Sequence, residues 1–212
     1  MSHQNDFEEE SMMKKIILIS AAVLLTAICS DAQVGRRFYV DAGWQFNGTF
    51  SNGFSENASG WGAYLEGGYY FLPRVAAGVF ASFNTNNEYF PKQTYDLGDG
   101  TAVTTDMYHS LYQVPFGATL RYRFAWKKVQ PYVEAKLGAN YARQYELYSI
   151  FGARDSQWGF YASPEVGVVI HPFNKSNLGF QISAYYSYAT NRSRAFGIDG
   201  ISNAGFKLGL SF

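Results

Sequence analysis

The chain of 212 residues reads as an all-β protein, an eight-stranded antiparallel up-and-down transmembrane β-barrel. Three observations predict this. From residue 33 onward, segments of about ten residues with period-two hydrophobicity alternate with turn-rich segments, the weak but repeated pattern of barrel strands. Aromatics reach 18% while charged residues fall to 16%, against about 25% in ordinary soluble domains, a balance that suits an apolar solvent. The last stretch, 201–212, places Ala204, Phe206, Leu208, Leu210 and Phe212 on one face and Gly205, Lys207, Gly209 and Ser211 on the other. An apolar edge strand ending on Phe needs a partner, and closure of a barrel supplies one. Beyond the N-terminus, no run approaches the roughly 18 apolar residues of a membrane helix, so a bilayer would be crossed by strands.

The N-terminus reads separately. Lys14 and Lys15 precede a largely apolar run of 13 residues, 16–28, followed by Ser30-Asp31-Ala32. This is the pattern of a secretory signal peptide, too short for a span, with small residues at both peptidase positions. Cleavage is expected after Ala32, which divides the chain into a leader and signal, 1–32, and a barrel, 33–212. Residues 1–12 form an acidic leader, and Met13 is the more typical start. Cys29 raises a rival reading as a lipidated first residue, but Thr26 and Ile28 stand where lipoprotein signals carry Leu and a small residue. Cleavage removes the one Cys, so no disulfide is expected. The remaining 15 basic and 12 acidic side chains form no nucleic-acid-sized patch.

Period-two patterning places strands at 36–46, 60–71, 74–85, 108–124, 129–145, 157–170, 177–189 and 201–212. Short turns join the second strand to the third (Leu72-Pro73), the fourth to the fifth (125–128) and the sixth to the seventh (171–176). The other connections, 47–59, 86–107, 146–156 and 190–200, are longer and rich in Asn, Gly, Ser and Asp. Short turns at one end and long loops at the other give a barrel with both termini at the short-turn end.

Parity then separates two faces. One carries Phe38, Val40, Trp44, Leu65, Val79, Phe116, Leu120, Val133, Leu137, Phe160, Val166, Phe180, Ile182 and their like, and none of those assigned to it is charged. The other carries Asp41, Glu66, Arg121, Arg123, Glu134, Lys136, Glu165 and Lys207 among Gly, Ser, Tyr and Gln, all at a similar height in the short-turn half. An eight-stranded interior is just wide enough for its own side chains and cannot take so many rings, so the apolar face belongs outside. Trp44, Tyr69, Phe71, Tyr122, Trp126, Trp158 and Phe173, near strand ends, are expected to form interfacial girdles. Charges in a narrow lumen survive only when paired, so the eight form a structural plug in this reading.

With these features the chain resembles the small eight-stranded outer-membrane barrels of the OmpA/OmpX type, the broad porin-family group of outer-membrane β-barrel domains. The carriers are the signal peptide, the strand and loop rhythm of 33–212, and the terminal Gly205-Phe206-Lys207-Leu208-Gly209-Leu210-Ser211-Phe212. The resemblance implies Sec-dependent export to a Gram-negative outer membrane, periplasmic termini, contact with membrane lipid and lipopolysaccharide, and a monomer. It also implies that Phe206, Leu208, Leu210 and Phe212 are read as an assembly signal by the outer-membrane insertion machinery. Function is less specified, because such barrels include anchors, adhesins, narrow channels and enzymes acting on lipid A.

Candidate chemistry is sparse. His109 and Ser110 are neighbours on a strand and so point to opposite faces, which separates a base from its nucleophile. Glu88, Asp96, Asp99 and Asp106 with Lys92 make an acidic loop in this reading, without the spaced ladder of a calcium site. No catalytic residue, cofactor or metal is therefore expected, and recognition is assigned to the extracellular loops. A narrow pore for ions or small solutes is the alternative, and a lipid A-modifying enzyme the third reading.

The mature protein is expected to begin at Gln33, which the intact mass of the membrane-extracted protein reads directly. A diacylated Cys29 at its start would contradict the signal-peptide assignment.

Overall fold

Backbone N–H and C=O groups inside hydrocarbon have no water to bond, so strands cross a membrane only as a closed sheet. The computed structural model describes residues 37–50, 57–96, 102–125, 127–148, 151–172, 178–193 and 197–212, and its sheet closes. The strands are β1 (Phe38–Phe50), β2 (Ala58–Ser59), β3 (Gly62–Tyr70), β4 (Val75–Asp96), β5 (Ala102–Arg123), β6 (Val129–Tyr148), β7 (Phe151–Ile170), β8 (Gly179–Ser193) and β9 (Ile198–Ser211). Every pairing is antiparallel between neighbours in the sheet, and β9 pairs back onto β1. The two residues of β2 pair with the upper part of β1 and β3 with its lower part, so together they make one stave. The barrel thus has eight staves. At the seam, the Val40 and Phe212 backbones exchange hydrogen bonds of 3.2 and 2.9 Å, so the terminal residue is part of the closure.

At the short-turn end, the strand limits lie within a few residues of the sequence expectation. At the other end the strands run further. The segment 86–107, expected as a loop, is mostly a hairpin extension in which Glu88 faces His109 and Tyr89 faces Tyr108 across β4 and β5. The stretch 146–156 is likewise almost entirely strand, with Glu146 opposite Ala153. Above the membrane both faces of a hairpin are wet, so backbone pairing continues without the apolar alternation that marks a strand in the sequence. The acidic residues of that segment therefore sit on a hairpin rather than in a loop. Asp99 lies outside the described residues, as do Trp126, Phe173 and the whole of 1–32.

The two faces separate cleanly. Along β8, the fifteen residues alternate without exception between buried and exposed. Outward stand Phe38, Leu65, Val79, Leu120, Leu137, Trp158, Phe160, Val166 and Ile182, all exposed on the outer surface of the barrel. Inward stand the polar and charged residues, with tyrosines. Room for those rings comes from glycine in the barrel wall. A Cβ at Gly209 would lie 2.2 Å from the Tyr64 hydroxyl and 2.5 Å from the Ala42 carbonyl oxygen, and one at Gly167 would lie 2.6 Å from the Tyr132 hydroxyl. The glycine-rich inner face thus accommodates inward rings.

Candidate functional site: the ionic layer across the lumen

Parity sends Asp41 of β1, Glu66 of β3, Arg121 of β5, Glu134 and Lys136 of β6, Glu165 of β7 and Lys207 of β9 to the barrel axis. The register brings them to one height: Asp41 lies opposite Glu66, Arg121 opposite Glu134, and Glu134 opposite Glu165. All seven are almost wholly buried.

Arg121 is the hub. Its Nη1 lies 2.7 Å from Asp41, its Nη2 3.3 Å from Glu66 and its Nε 2.5 Å from Glu134. Its guanidinium is also held between two rings, 4.0 Å from the Tyr39 centroid and 4.3 Å from that of Tyr132. A planar fork with several fixed donors suits such a site, since one side chain can satisfy three carboxylates and stack at the same time. The Thr119 hydroxyl donates to Glu134.

Lys136 is the second centre. Its Nζ contacts Glu66, lies 2.7 Å from Glu165 and 3.4 Å from Glu134. Oxygens of these three carboxylates lie within 4.8 Å of one another, a spacing that could serve a metal ion. The Lys136 ammonium lies among them and supplies the positive charge. Lys207 completes the layer, 2.7 Å from Glu165 and over the Tyr64 and Tyr185 rings.

Tyrosine and glutamine residues tie the layer together. Tyr132 donates to Glu165 at 2.9 Å, Gln181 donates to Tyr132 at 2.5 Å and to Glu66 at 3.2 Å, and Tyr64 donates to Gln181 at 2.7 Å. Sequence reasoning assigned no role to these residues, although each shares the inward parity of a charged neighbour. Arg123 sits one step nearer the short turns. It donates to Gln130 at 2.8 Å and to the Pro73 carbonyl at 3.3 Å, and lies 3.9 Å from the Tyr70 ring centroid. It thus borders the layer at its lower edge.

Above the charges the lumen changes character. Phe80, Leu111, Ala142, Tyr161, Ala189, Ile198 and Ile201 form a buried apolar cluster. Beside it runs an amide network in which Gln45 donates to Asn84 and Tyr185, Asn47 to Asn86, and Asn203 to Gln113. A salt layer, an apolar cluster and an amide network therefore occupy the interior.

His109 faces inward and its Nε2 lies 3.1 Å from Glu146, while Ser110 lines a groove on the outer wall. Their separation on opposite faces follows the parity argument.

A polar, filled interior inside an apolar wall is the arrangement of an outer-membrane barrel. A family model described as outer membrane protein beta-barrel domain matches residues 19–212. The chain belongs to that family. Its place is the outer membrane of a Gram-negative envelope, in contact with the lipids there. The crystal structure of Neisserial surface protein A superposes with a TM-score of 0.56 at 18% identity, covering 82% of this chain and 95% of that one, which shows a shared fold. Two further structures are similar at lower scores. Ail, the attachment invasion locus protein of Yersinia pestis, has a TM-score of 0.48 at 17% identity, covering 83% and 98% of the two chains. The outer membrane protease OmpT of Escherichia coli has 0.49 at 9%, covering 84% and 97%. At those scores neither carries an argument about this barrel. No curated protein sequence matches the chain.

Proposed function

We propose that the protein is a closed, monomeric, non-enzymatic outer-membrane barrel whose extracellular hairpins and loops carry surface recognition. The observation that supports this reading is the interior itself. Arg121, Lys136 and Lys207 are bound into the carboxylate layer, and Leu111 and Ile201 above them are fully buried. An ion would have to displace paired charges and then pass the buried apolar cluster and the hydrogen-bonded amides beside it, both costly steps. A barrel of eight staves normally fills its interior in this way.

The long hairpins at the extracellular end support a recognition role there. The hairpins β4–β5 and β6–β7 run well past the membrane-spanning alternation, with aromatic pairs such as Tyr89 and Tyr108, 4.7 Å apart, stiffening the stem. Rigid stems holding variable tips are a common way to present a binding loop. The non-enzymatic reading rests on the separation of His109 from Ser110 across the barrel wall.

At the opposite end, the alternation of Phe206, Leu208, Leu210 and Phe212 serves as the assembly signal in this account. Replacing Phe212 with Ser is expected to leave export intact and lower the yield of heat-modifiable, folded barrel in the membrane. An undiminished yield would remove that role.

Conductance tests the closed lumen. The wild-type barrel is expected to show no steady current in planar bilayers, whereas large, steady channels would put the narrow-pore reading in its place.

A further inference from the structure

Within the stretches read from the sequence as strands, one charged residue among those described breaks the pattern. Arg143 lies on β6 within 129–145, the stretch read from the sequence as having an uncharged outer face, yet its side chain points outward. Its neighbours Ala142 and Gln144 are fully buried in the lumen. Going up β6, the outward residues are Val133, Ala135, Leu137, Ala139 and Tyr141, and then Arg143 and Tyr145. Adjacent strands change at the same row. On β5, Tyr112 opposite Arg143 gives way to Ser110 opposite Tyr145. On β7, Trp158 opposite Tyr141 gives way to Ser156 opposite Arg143 and then to Arg154 opposite Tyr145. The row therefore marks the upper edge of the apolar belt, where lipid headgroups lie and where a lipid-facing Arg costs least.

The local geometry is that of a held cation. Arg143 donates from Nε and Nη2 to the Tyr141 hydroxyl at 3.2 and 2.9 Å, and from Nη1 to that of Tyr145 at 3.2 Å. Among the described contacts, Arg143 meets hydroxyls and no carboxylate, unlike Arg192, which lies 2.8 Å from Asp199. A guanidinium has five N–H groups, so donors remain, and a phenol that accepts from Arg keeps its own proton to donate. The open groove around it offers about 570 Å³, with Phe83, Val114, Ser110 and Tyr145 among its lining.

We infer that this groove is a binding site for an outer-leaflet lipid carrying a phosphate on its headgroup. Arg143, Tyr141 and Tyr145 would hold the phosphate, while Phe83 and Val114 would contact the acyl chain. Charge complementarity selects an anion, and planar donors favour phosphate over a diffuse charge. The position of the groove, with one half apolar, selects a lipid over a free ion. The inference rests on the outer-membrane location and is independent of whether the lumen conducts.

The test is native mass spectrometry of the folded barrel in detergent, titrated with phosphorylated or dephosphorylated lipid A. Wild type is expected to bind the phosphorylated form about tenfold more tightly, the value of a lost charge-assisted contact. Arg143→Gln is expected to lose about that factor, Arg143→Lys to retain part of it, and Arg192→Gln to bind as wild type. Heat-modifiability on gels establishes that each variant is folded. Excess inorganic phosphate is expected not to displace the lipid. Equal affinity for both lipid forms in wild type, or an unchanged Arg143→Gln, overturns the site, and displacement by inorganic phosphate overturns its assignment to lipid.

Discussion

The contact between Arg121 and Glu134, 2.5 Å long and almost fully buried, is where the constraints on this fold meet. A barrel in lipid must turn its apolar residues outward, which leaves the polar residues of every strand in a space too narrow for bulk water. An ion there loses most of its hydration and survives only if neighbours replace it. Arg121 answers with three carboxylates and two rings, and each of those groups comes from a different strand or a different position on its own. The layer therefore links β1, β3, β5 and β6 through their side chains, and Lys136 and Lys207 extend it to β7 and β9. Backbone pairing joins only neighbouring strands, whereas this layer joins strands across the axis.

That arrangement explains why some of the structure could be read from the sequence and some could not. The charges could be read, because residues such as Asp41, Glu134 and Lys207 interrupt an alternation that is otherwise apolar against small. Their individual partners could not, since which carboxylate meets Arg121 depends on the stagger between strands distant in the chain. The rings that clamp the layer were harder still. Tyr39, Tyr64 and Tyr132 share a residue type with the outward tyrosines, and only parity relative to Asp41, Glu66 and Glu134 separates them. The glycines were a partial clue: Gly167 and Gly209 lie under inward tyrosines. Strand length was misjudged where water replaces lipid, because Asn, Thr and Glu in 86–107 satisfy a wet hairpin as well as a loop. Arg143 was passed over because its strand was sorted by its apolar majority.

The two ends of the barrel consequently carry different work. At the short-turn end, the seam between Val40 and Phe212, the salt layer and Arg123 concentrate stabilising contacts close to the termini. Toward the extracellular end, the interior passes to amides and an apolar cluster, and the hairpins leave the membrane. A rigid base with exposed upper hairpins suits a protein that presents surface to the outside and is anchored by the sheet below. The groove around Arg143 lies between these regions, at the height where the barrel wall meets headgroups.

The most direct test of this account is a double-mutant cycle on Arg121 and Glu134, with unfolding free energies measured in lipid vesicles by denaturant titration. Arg121→Ala alone is expected to cost about 3 to 5 kcal/mol by leaving carboxylates buried and uncompensated. Adding Glu134→Ala should cost less than the sum of the single changes, with a coupling of about 1 to 3 kcal/mol. Additivity within about 0.5 kcal/mol would mean that the two side chains do not depend on each other, and would contradict the ionic layer as the constraint that organises the lumen.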